Sequence, residues 1–367
     1  MNGLIIFCRL SNNKLVIISE LVMATIKFNI RKAVKEDCEE IFRLVKELAE
    51  YEKQPQAVKN DAKTLEQDGF LTQLPTFQCL VVDDPSHDGA KPKLIAYAMY
   101  CLIYCSKSGK RFDFRDIYIS SKYRSHGVGK QLLSAVCKEA VKENVVKMNL
   151  IVLKWNPANS FYKKLGMVNI TDTEGWQCHL MKRNDIERIA NSERLEMSAN
   201  KLNIRKATKN DCEEIFRLIK ELAIHEKSPN AVKVNTEILE RDGFESENPP
   251  FMCMVIDEPD SKEKNPKLLA YTLYSRSYSS YEGKRFVLGD IFISAPYRGQ
   301  GLGKKLMSAV CKEAIKENVK TIRFNVLKTN PSIEFYKKLG IENITETEGW
   351  QYTSMKSEII VKTAEIY

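Results

Sequence analysis

The chain contains Arg124-Ser-His-Gly-Val-Gly-Lys130 and, 174 positions later, Arg298-Gly-Gln-Gly-Leu-Gly-Lys304. Each is a basic, glycine-containing turn that follows a predicted strand and opens a predicted helix. Glycine permits unusual backbone dihedrals and close approach of a ligand. The exposed amides and the positive dipole end of a helix start suit a phosphate group. The two turns therefore predict phosphate or pyrophosphate sites at strand-to-helix junctions.

The same offset of 174 positions aligns the two halves of the chain without a net insertion or deletion. The matched pairs include Arg31 and Arg205, Asp68 and Asp242, Asp116 and Asp290, Tyr162 and Tyr336, and Trp176 and Trp350. A period this long corresponds to a whole domain rather than to a solenoid repeat. We predict an N-terminal extension over 1–22, a first domain over 23–181, a charged helical linker over 182–201 and a second domain over 202–367.

The composition is typical of a soluble globular protein, with 43% hydrophobic residues, 29% charged residues and a net charge of +9. Lysine and glutamate are interleaved, and no basic patch alternates with aromatic residues, which disfavours nucleic-acid binding. The ten cysteines form no C-x-x-C pair and predict buried free thiols without a metal site. No apolar run reaches the roughly 18 residues of a membrane span. We expect a cytoplasmic protein.

Hydrophobic periodicity predicts the same element order, β-α-α-β-β-β-α-β-α-β-β, in both halves. In the first half, the clearest elements are an amphipathic helix over 37–50 and an almost unbroken apolar strand over 147–153. The other predicted strands are 26–30, 77–82, 93–101, 112–120 and two near 167 and 176, and the other predicted helices are 62–67, 127–143 and 156–165. This order indicates a mixed α/β sheet with helices on both faces.

Two common phosphate-binding motifs do not fit the turn. A Walker loop has glycine where Arg124 stands and serine or threonine where Gln131 stands. A Rossmann fingerprint has a third glycine where Leu132 stands, and it lies early in its domain rather than in the middle. Neither a Walker-type nor a dinucleotide site is therefore expected.

Arg124-x-x-Gly127-x-Gly129 and Arg298-x-x-Gly301-x-Gly303 resemble the coenzyme A signature of the GNAT acetyltransferase superfamily. The later segments Asn156-Pro…Phe161-Tyr162-Lys-Lys-Leu-Gly166 and Asn330-Pro…Phe335-Tyr336-Lys-Lys-Leu-Gly340 complete the pattern. Within the superfamily, both halves are similar to the diamine (spermidine/spermine) and thialysine acetyltransferases. The residues that carry this similarity include Ile30-Arg-Lys-Ala, Tyr51-Glu52, Asp68-Gly69-Phe70, Tyr123-Arg124 and Glu174-Gly175-Trp176. The resemblance implies two tandem GNAT acyl-CoA N-acyltransferase domains.

The resemblance implies that acetyl-CoA is the cofactor and that each domain holds it in the same way. The turn would bind the pyrophosphate through Arg124, Ser125, His126, Gly127, Val128, Gly129 and Lys130, and through Arg298, Gly299, Gln300, Gly301, Leu302, Gly303 and Lys304. The preceding strand would pair with the pantetheine and the thioester through Ile117, Tyr118 and Ile119, and through Ile291, Phe292 and Ile293. Asn156 and Asn330 would contact CoA beyond the splayed central strands.

The resemblance also implies that Tyr162 and Tyr336 are general acids, which protonate the departing thiolate. A lysine-like amine has a pKa near 10.4, so its neutral form at pH 7 lies about 4.6 kcal/mol uphill, and a carboxylate or a water relay is expected. In the diamine enzymes, a Glu-Asp pair on the strand before the turn has this role. Asp116 and Asp290 retain the Asp of that pair.

The Glu of the pair is replaced by Arg115 in the first domain and by Gly289 in the second. Arg115 would repel a polycation, and it would either select an acidic or zwitterionic substrate or disable the first site. Gly289 leaves the second site permissive but without that base. Because its turn is also better preserved, the second domain is expected to be the more active one.

By resemblance, the substrate-binding residues are Tyr51, Glu52, Glu174, Trp176, His225, Glu226, Glu348 and Trp350. A loop that is acidic and aromatic in the diamine enzymes reads Tyr104-Cys-Ser-Lys107 in the first domain and Tyr278-Ser-Ser-Tyr281 in the second. The carboxylate of that loop is missing in both.

The favoured interpretation is an acetyl-CoA-dependent N-acetyltransferase that acts on a primary amine of a small molecule, by direct attack in a ternary complex. The two domains are expected to form an internal pseudo-dimer, because the similar enzymes are homodimers, and the sequence leaves open a further homo-oligomer of the whole chain. A CoA-binding pseudo-enzyme or sensor is the alternative, and a protein-lysine acetyltransferase ranks lower. The sequence leaves open which amine is acetylated and whether both sites are active.

Overall fold

The computed structural model describes residues 28–89, 92–192, 202–258 and 267–366. The predicted extension over 1–22 and positions 193–201 of the predicted linker lie outside the described residues. The predicted order of elements is confirmed in both halves, with one short helix added before the last strand of each. Each cysteine in the described ranges is a free thiol, and all of these except Cys105 are buried.

The first half consists of seven strands and six helices. They are β1 (Ile30–Lys32), α1 (Cys38–Tyr51), α2 (Ala62–Gly69), β2 (Gln78–Asp83), β3 (Leu94–Cys105), β4 (Gly109–Ile119), α3 (Val128–Lys142), β5 (Lys147–Leu153), α4 (Ala158–Lys164), β6 (Val168–Asn169), α5 (Ile170–Glu174), β7 (Trp176–Met181) and α6 (Arg183–Asn191).

The second half repeats this order at the same offset. Its elements are β8 (Ile204–Lys206), α7 (Cys212–His225), α8 (Thr236–Phe244), β9 (Met252–Asp257), β10 (Leu268–Ser279), β11 (Gly283–Ile293), α9 (Leu302–Lys316), β12 (Thr321–Leu327), α10 (Ile333–Lys338), β13 (Glu342–Asn343), α11 (Ile344–Thr347), β14 (Trp350–Lys356) and α12 (Ser357–Ala364).

The first strand of each half is joined to the start of the first helix by a partly buried ion pair. Arg31 Nη1 lies 2.7 Å from Asp37 Oδ2, and the same carboxylate accepts a hydrogen bond from the Val34 amide. Arg205 and Asp211 repeat the pair at 2.7 Å. The helix α1 then buries Ile41, Leu44 and other residues at helical spacing against the sheet. Local charge and periodicity together determine where this helix begins and which face it buries.

The last strand of each half crosses to the other half. One sheet has the order β1-β2-β3-β4-β5-β14-β6, and the other has the order β13-β7-β12-β11-β10-β9-β8. Thus β14 of the second half lies between β5 and β6, where Trp350 pairs with Leu153 and Met355 with Met148. In the same way β7 of the first half lies between β12 and β13, where Trp176 pairs with Leu327. Each sheet is therefore built from both halves of the chain.

The helices that follow the exchanged strands cross with them. Within the predicted linker, α6 packs on α9 of the second half, where the Ser308 hydroxyl donates to the Ala190 carbonyl. At the other end, α12 packs on α3, where the Ser134 hydroxyl donates to the Ala364 carbonyl. Ile186 and Ile360 are at most 1% exposed in these contacts. Burying a side chain of this size contributes roughly 1.5–3 kcal/mol, so each exchanged helix stabilises the hydrophobic core of the other half.

A buried ion pair connects the two sheets near their centre. Asp113 Oδ1 on β4 lies 2.5 Å from Arg323 Nη2 on β12, and both side chains are at most 1% exposed. The Ser277 hydroxyl on β10 donates to Asp113 Oδ2 at 2.8 Å. The positions that match Asp113 and Arg323 at the offset of 174 are Val287 and Asn149, so this pair has no symmetrical counterpart.

Candidate active site

In each half, two central strands begin together and then separate. The parallel pairing of β4 with β5 runs from Arg111 and Lys147 to Asp113 and Asn149, although both strands continue beyond it. The matched strands β11 and β12 pair only over Arg285–Val287 and Thr321–Arg323. The backbone of 117–119 and of 291–293 therefore has an edge without a strand partner among the described residues. An extended chain can add to such an edge through hydrogen bonds.

The glycine turn lies at the open end of the separated strands and leads into a 15-residue helix, α3 or α9. Gly127 and Gly301 cap these helices at φ 80° and 77°, a left-handed conformation that favours glycine. An added Cβ would meet no atom closer than about 4 Å at either position, so the backbone angle rather than crowding requires glycine. A helix start of this kind is suited to a phosphate.

The arginine of the turn is fixed against the end of the preceding strand. Arg124 Nε donates to the Ile119 carbonyl at 2.9 Å, and its guanidinium stacks 4.5 Å from the centre of the Tyr51 ring. Arg298 Nε donates to the Ile293 carbonyl at 3.0 Å. The residue after this arginine has a left-handed backbone, as Gly127 and Gly301 do. It is Ser125, at φ 65°, in the first half and a glycine in the second. The turn of the second half is therefore less strained.

The predicted general acids lie on the short helices after the separated strands. Tyr162 on α4 is 8% exposed, and burial followed by the charges of Glu52 and Asp116 raises its pKa. Burial followed by the charge of Asp290 raises the pKa of Tyr336, on α10, to about 12. Each phenol therefore keeps its proton at neutral pH, which a general acid requires.

The predicted carboxylates lie beside a β-bulge. Met99 pairs with Asp116 and Tyr100 pairs with Phe114, so Arg115 is the extra residue on β4. Burial raises the pKa of Asp116, and its Oδ2 atom has no hydrogen-bond partner in the described ranges. A bulge between paired strands commonly redirects a side chain next to an active site.

The bulge recurs in the second half, where Gly289 is the extra residue between Leu288 and Asp290. An added Cβ at Gly289 would lie 3.2 Å from the Leu273 carbonyl oxygen, so the absence of a side chain permits a close approach of backbone. Burial also raises the pKa of Asp290, whose Oδ2 lacks a partner within the residues described.

The first site includes a side chain from the second half of the chain. The Tyr281 hydroxyl, on the β10–β11 hairpin, donates to Glu52 Oε2 at 2.7 Å. The Lys59 and Asn60 amides hold this hairpin by donating to the Tyr281 carbonyl. Burial, together with the charge of Asp116, raises the pKa of Glu52 to about 7. A carboxyl group that titrates near neutrality can accept a proton at physiological pH.

The first half contributes the matching hairpin to the second site, but the matched residue is a lysine instead of a tyrosine. Lys107, on the β3–β4 hairpin, forms an ion pair with Glu226, the residue that matches Glu52. The Lys233 amide donates to the Lys107 carbonyl at 2.6 Å. A cation therefore stands in the second site where the first site has a phenol. His225 precedes Glu226, and its ring centre lies 6.5 Å from that of Phe292.

Arg115 does not extend freely into the first site. Its side chain is 7% exposed, and its Nη1 lies 3.4 Å from Asp113 Oδ2, next to the central ion pair. Its charge still lowers the pKa of Glu52 and of Asp116, against the larger effect of burial. Arg115 is thus partly neutralised at the contact between the sheets, while its field reaches the first site.

The tryptophans and asparagines predicted for the sites make local hydrogen bonds. The Trp176 and Trp350 indoles donate to Glu174 and Glu348 at 2.9 and 2.8 Å, on the exchanged strands β7 and β14. Asn156 Oδ1 accepts from the Ala158 amide at 2.9 Å, and Asn330 Oδ1 accepts from the Ser332 amide at 2.8 Å. Both asparagine oxygens are therefore engaged in the local turn, and a CoA contact by these residues stays a prediction.

The structure brings Tyr51, Glu52, Asp116 and Tyr162 together in the first site, and Glu226, Asp290 and Tyr336 in the second. Sequence reasoning did not include Tyr281 and Lys107 among the site residues, although both occupy the loop that differs from the diamine enzymes. The difference of this loop from the diamine enzymes was the sequence feature that could have identified them. The roles of all these residues remain predictions.

Within the described ranges, we find no helix that is long and apolar enough to cross a membrane. The same ranges contain no group of three or more His, Cys, Asp or Glu side chains arranged to hold a metal ion.

Comparison with known families gives a match to each half of the chain. The profile of the acetyltransferase (GNAT) family matches residues 38–167 and 213–341. Both matches contain the glycine turn, the separated strands and the helix with the predicted general acid.

Individual relatives match one domain's length of the chain. Thialysine N-epsilon-acetyltransferase of Bos taurus is 37% identical over 164 residues, which are 44% of this chain and 96% of that protein. Spermidine/spermine N(1)-acetyltransferase-like protein 1 of Homo sapiens is 32% identical over 163 residues, 44% of this chain and 23% of that protein. A solved tandem GNAT protein from the clavulanic acid biosynthesis pathway is 13% identical, with a TM-score of 0.48, over 90% of this chain and 99% of that one.

Proposed function

Because this chain belongs to the acetyltransferase (GNAT) family, we propose that it is an acetyl-CoA-dependent N-acetyltransferase that acts on a primary amine of a small molecule. The observation that carries this proposal is the first site. There a carboxyl group with a pKa near 7, Glu52, lies with Asp116 and the buried phenol of Tyr162 at the open end of two separated strands. The relatives' names make diamines, polyamines and thialysine the first amines to test.

The residues of both halves fit coenzyme A. A left-handed glycine at the start of a 15-residue helix places the helix-start amides where a pyrophosphate can bind. The unpaired edges over 117–119 and 291–293 provide amides and carbonyls for an extended pantetheine chain. Arg124 and Arg298 add positive charge beside each turn.

When bound, acetyl-CoA supplies an acetyl thioester whose carbonyl carbon a neutral amine nitrogen attacks. Glu52 accepts the proton that the substrate ammonium loses, since its pKa near 7 leaves about half of it ionised at pH 7. The amides of the β4 edge would polarise the thioester carbonyl. Tyr162 would donate its hydroxyl proton to the departing thiolate sulfur, and the proton that the acylated nitrogen loses would restore the phenol.

The second site has Asp290 and Tyr336 in the matched positions, with Glu226 neutralised by Lys107. We propose that the two halves act as an internal pseudo-dimer, in which each half donates a hairpin and a strand to the other's site. The turn favours coenzyme A binding in the second half, which has glycine where Ser125 stands. The proton acceptor instead favours catalysis in the first half. The cytoplasmic location remains a prediction.

One observation favours the alternative of a CoA-binding unit without catalysis. In the second site, the ion pair with Lys107 engages the carboxylate that would otherwise accept the amine proton. Asp290 then remains as the acceptor, and burial raises its pKa. This alternative applies to the second half alone.

The test is thiol release from acetyl-CoA with a panel of spermidine, spermine, thialysine, lysine and arylalkylamines. The intact chain, Tyr162→Phe and Tyr336→Phe are compared. Loss of a general acid lowers kcat by about 100-fold to 10,000-fold at its own site, so the two variants assign turnover to a site. The proposal is refuted if none of these amines is acetylated while CoA binding saturates.

A further inference from the structure

The hairpins that cross between the halves bring chemically different residues to matched positions. Lys107 and Tyr281 are equivalent under the offset of 174, and each contacts the equivalent glutamate of the other half. Lys107 is 19% exposed, and its backbone is held by the Lys233 amide. Its ammonium is therefore a fixed part of the second site rather than a mobile surface charge.

We propose that Lys107 is a specificity-determining residue of the second site and makes that site take amines that carry a carboxylate in preference to diamines. This inference rests on the proposed function. It assigns different substrate classes to the two sites of one chain.

The argument begins with the partner that a diamine needs. A diamine presents a second ammonium group, which binds best to an unpaired carboxylate. In the first site the group that contacts Glu52 is the neutral phenol of Tyr281, and the nearby cation Arg115 is engaged with Asp113, so the contact with Glu52 places no like charge against a second ammonium. In the second site the ion pair already neutralises Glu226, and a second cation would meet the like charge of Lys107.

The charged groups around Glu226 also disfavour a second substrate ammonium at this site. Burial acts to lower the pKa of Lys107, but its contact with Glu226 outweighs burial, so the pKa is raised and the side chain stays cationic at neutral pH. Lys107 and Arg111 also lower the pKa of Asp290, against the larger effect of burial. Two cations thus lie beside these carboxyl groups, so a substrate carboxylate meets opposite charge at Lys107, whereas a second substrate ammonium meets like charge there.

The decisive comparison uses two amines that differ by one carboxylate, lysine and 1,5-diaminopentane. Turnover is measured in the Tyr162→Phe chain, so that acetylation reports the second site. Lys107→Met removes the charge and keeps the length of the side chain. We expect the ratio of kcat/KM for lysine to that for the diamine to fall by about tenfold, as expected when one charge is removed from a partly buried site.

Three further variants make this result specific. Lys107→Arg keeps the charge and should keep the ratio within about twofold. Lys63→Met removes an exposed lysine on α2 and should leave the ratio unchanged. Tyr281→Lys in the Tyr336→Phe chain places a cation in the first site and should raise the ratio there by about tenfold.

Calorimetric binding of the two amines separates failure of this inference from failure of the proposed function. Preferential lysine binding that depends on Lys107, without turnover, refutes catalysis at the second site but supports the specificity. Turnover with an unchanged ratio in Lys107→Met overturns the specificity and leaves the function standing. Stoichiometric acetylation of Lys107 itself, seen by mass spectrometry, also overturns it, because the side chain would then be an acceptor.

Discussion

Asp113→Val should destabilise the whole chain, because it leaves a buried guanidinium without its partner. Arg323 is 1% exposed on its side chain, and the described residues offer its Nε and Nη1 atoms no hydrogen-bond partner. Asp113 is thus the one carboxylate that contacts Arg323 within the described residues. Valine is the residue that the second half has at the matched position, Val287, so its size and shape suit this strand.

The expected loss is about 3–5 kcal/mol, which is typical when one member of a buried ion pair is removed. Loss of the hydrogen bond from Ser277 and of the contact with Arg115 acts in the same direction. The matched residue for Arg323 is Asn149, so Asp113→Val with Arg323→Asn gives the central contact the residues of the other copy on both strands. That double variant should recover much of the loss, because the fully buried guanidinium of Arg323 is removed together with its carboxylate, and the longer 3.4 Å contact of Arg115 with Asp113 is the part that stays lost.

The assay is urea unfolding followed by circular dichroism, with the free energy of unfolding taken from the transition midpoint and slope. Thermal melting provides a second measurement on the same variants. A loss below about 1 kcal/mol for Asp113→Val would refute the reasoning. So would a double variant that is no more stable than the single variant, because the penalty would then come from packing rather than from the orphaned charge.

Three further predictions concern titration and the turn. The guanidinium of Arg323, against the effect of burial, holds the pKa of Asp113 at about 2. The stability that ionised Asp113 contributes is complete above the unfolded pKa near 3.9 and is lost as pH falls towards 2. Urea midpoints measured between pH 5 and 2 should therefore fall more steeply in wild type than in Asp113→Val. Because only ionised Glu52 accepts a proton, first-site kcat/KM in the Tyr336→Phe chain should rise with pH through about 7, and Glu52→Gln should lose this rise. Gly301→Ala should lower stability by about 1–2 kcal/mol, the strain of a left-handed alanine, while Gly303→Ala, whose added Cβ meets Ile293 at an ordinary 3.6 Å, should shift the melting temperature little.

The order of elements could be predicted because local periodicity decides it. The helix over 37–50 and the strand over 147–153 occur as Cys38–Tyr51 and Lys147–Leu153. The glycine turn was also readable, since a left-handed residue at the start of a helix favours glycine. The short helices α5 and α11 were missed, because five and four residues are too few to show a helical period.

The exchange of strands could not be predicted from these patterns. The alternation of side chains along β7 determines which face is buried but not which strand lies beside it. Trp176–Met181 would show the same pattern if it paired with β5 of its own half instead of with β12. Because of this exchange and the crossing hairpins, residues from both halves surround each site, and contacts such as that of Tyr281 with Glu52 were not visible in either copy alone.

The central ion pair was visible in the sequence only as two unrelated differences between the copies, Asp113 against Val287 and Arg323 against Asn149. The effect of these two differences becomes clear when the alternative pairings of the halves are compared. Two first halves would set Asp113 against Asn149, and two second halves would set Arg323 against Val287 with no carboxylate to neutralise it. An unpaired buried charge is strongly destabilising, so the pairing of unlike halves within one chain is favoured over either like pairing. A pairing fixed in this way lets the two sites carry different residues, since a change such as Lys107 enters one site only.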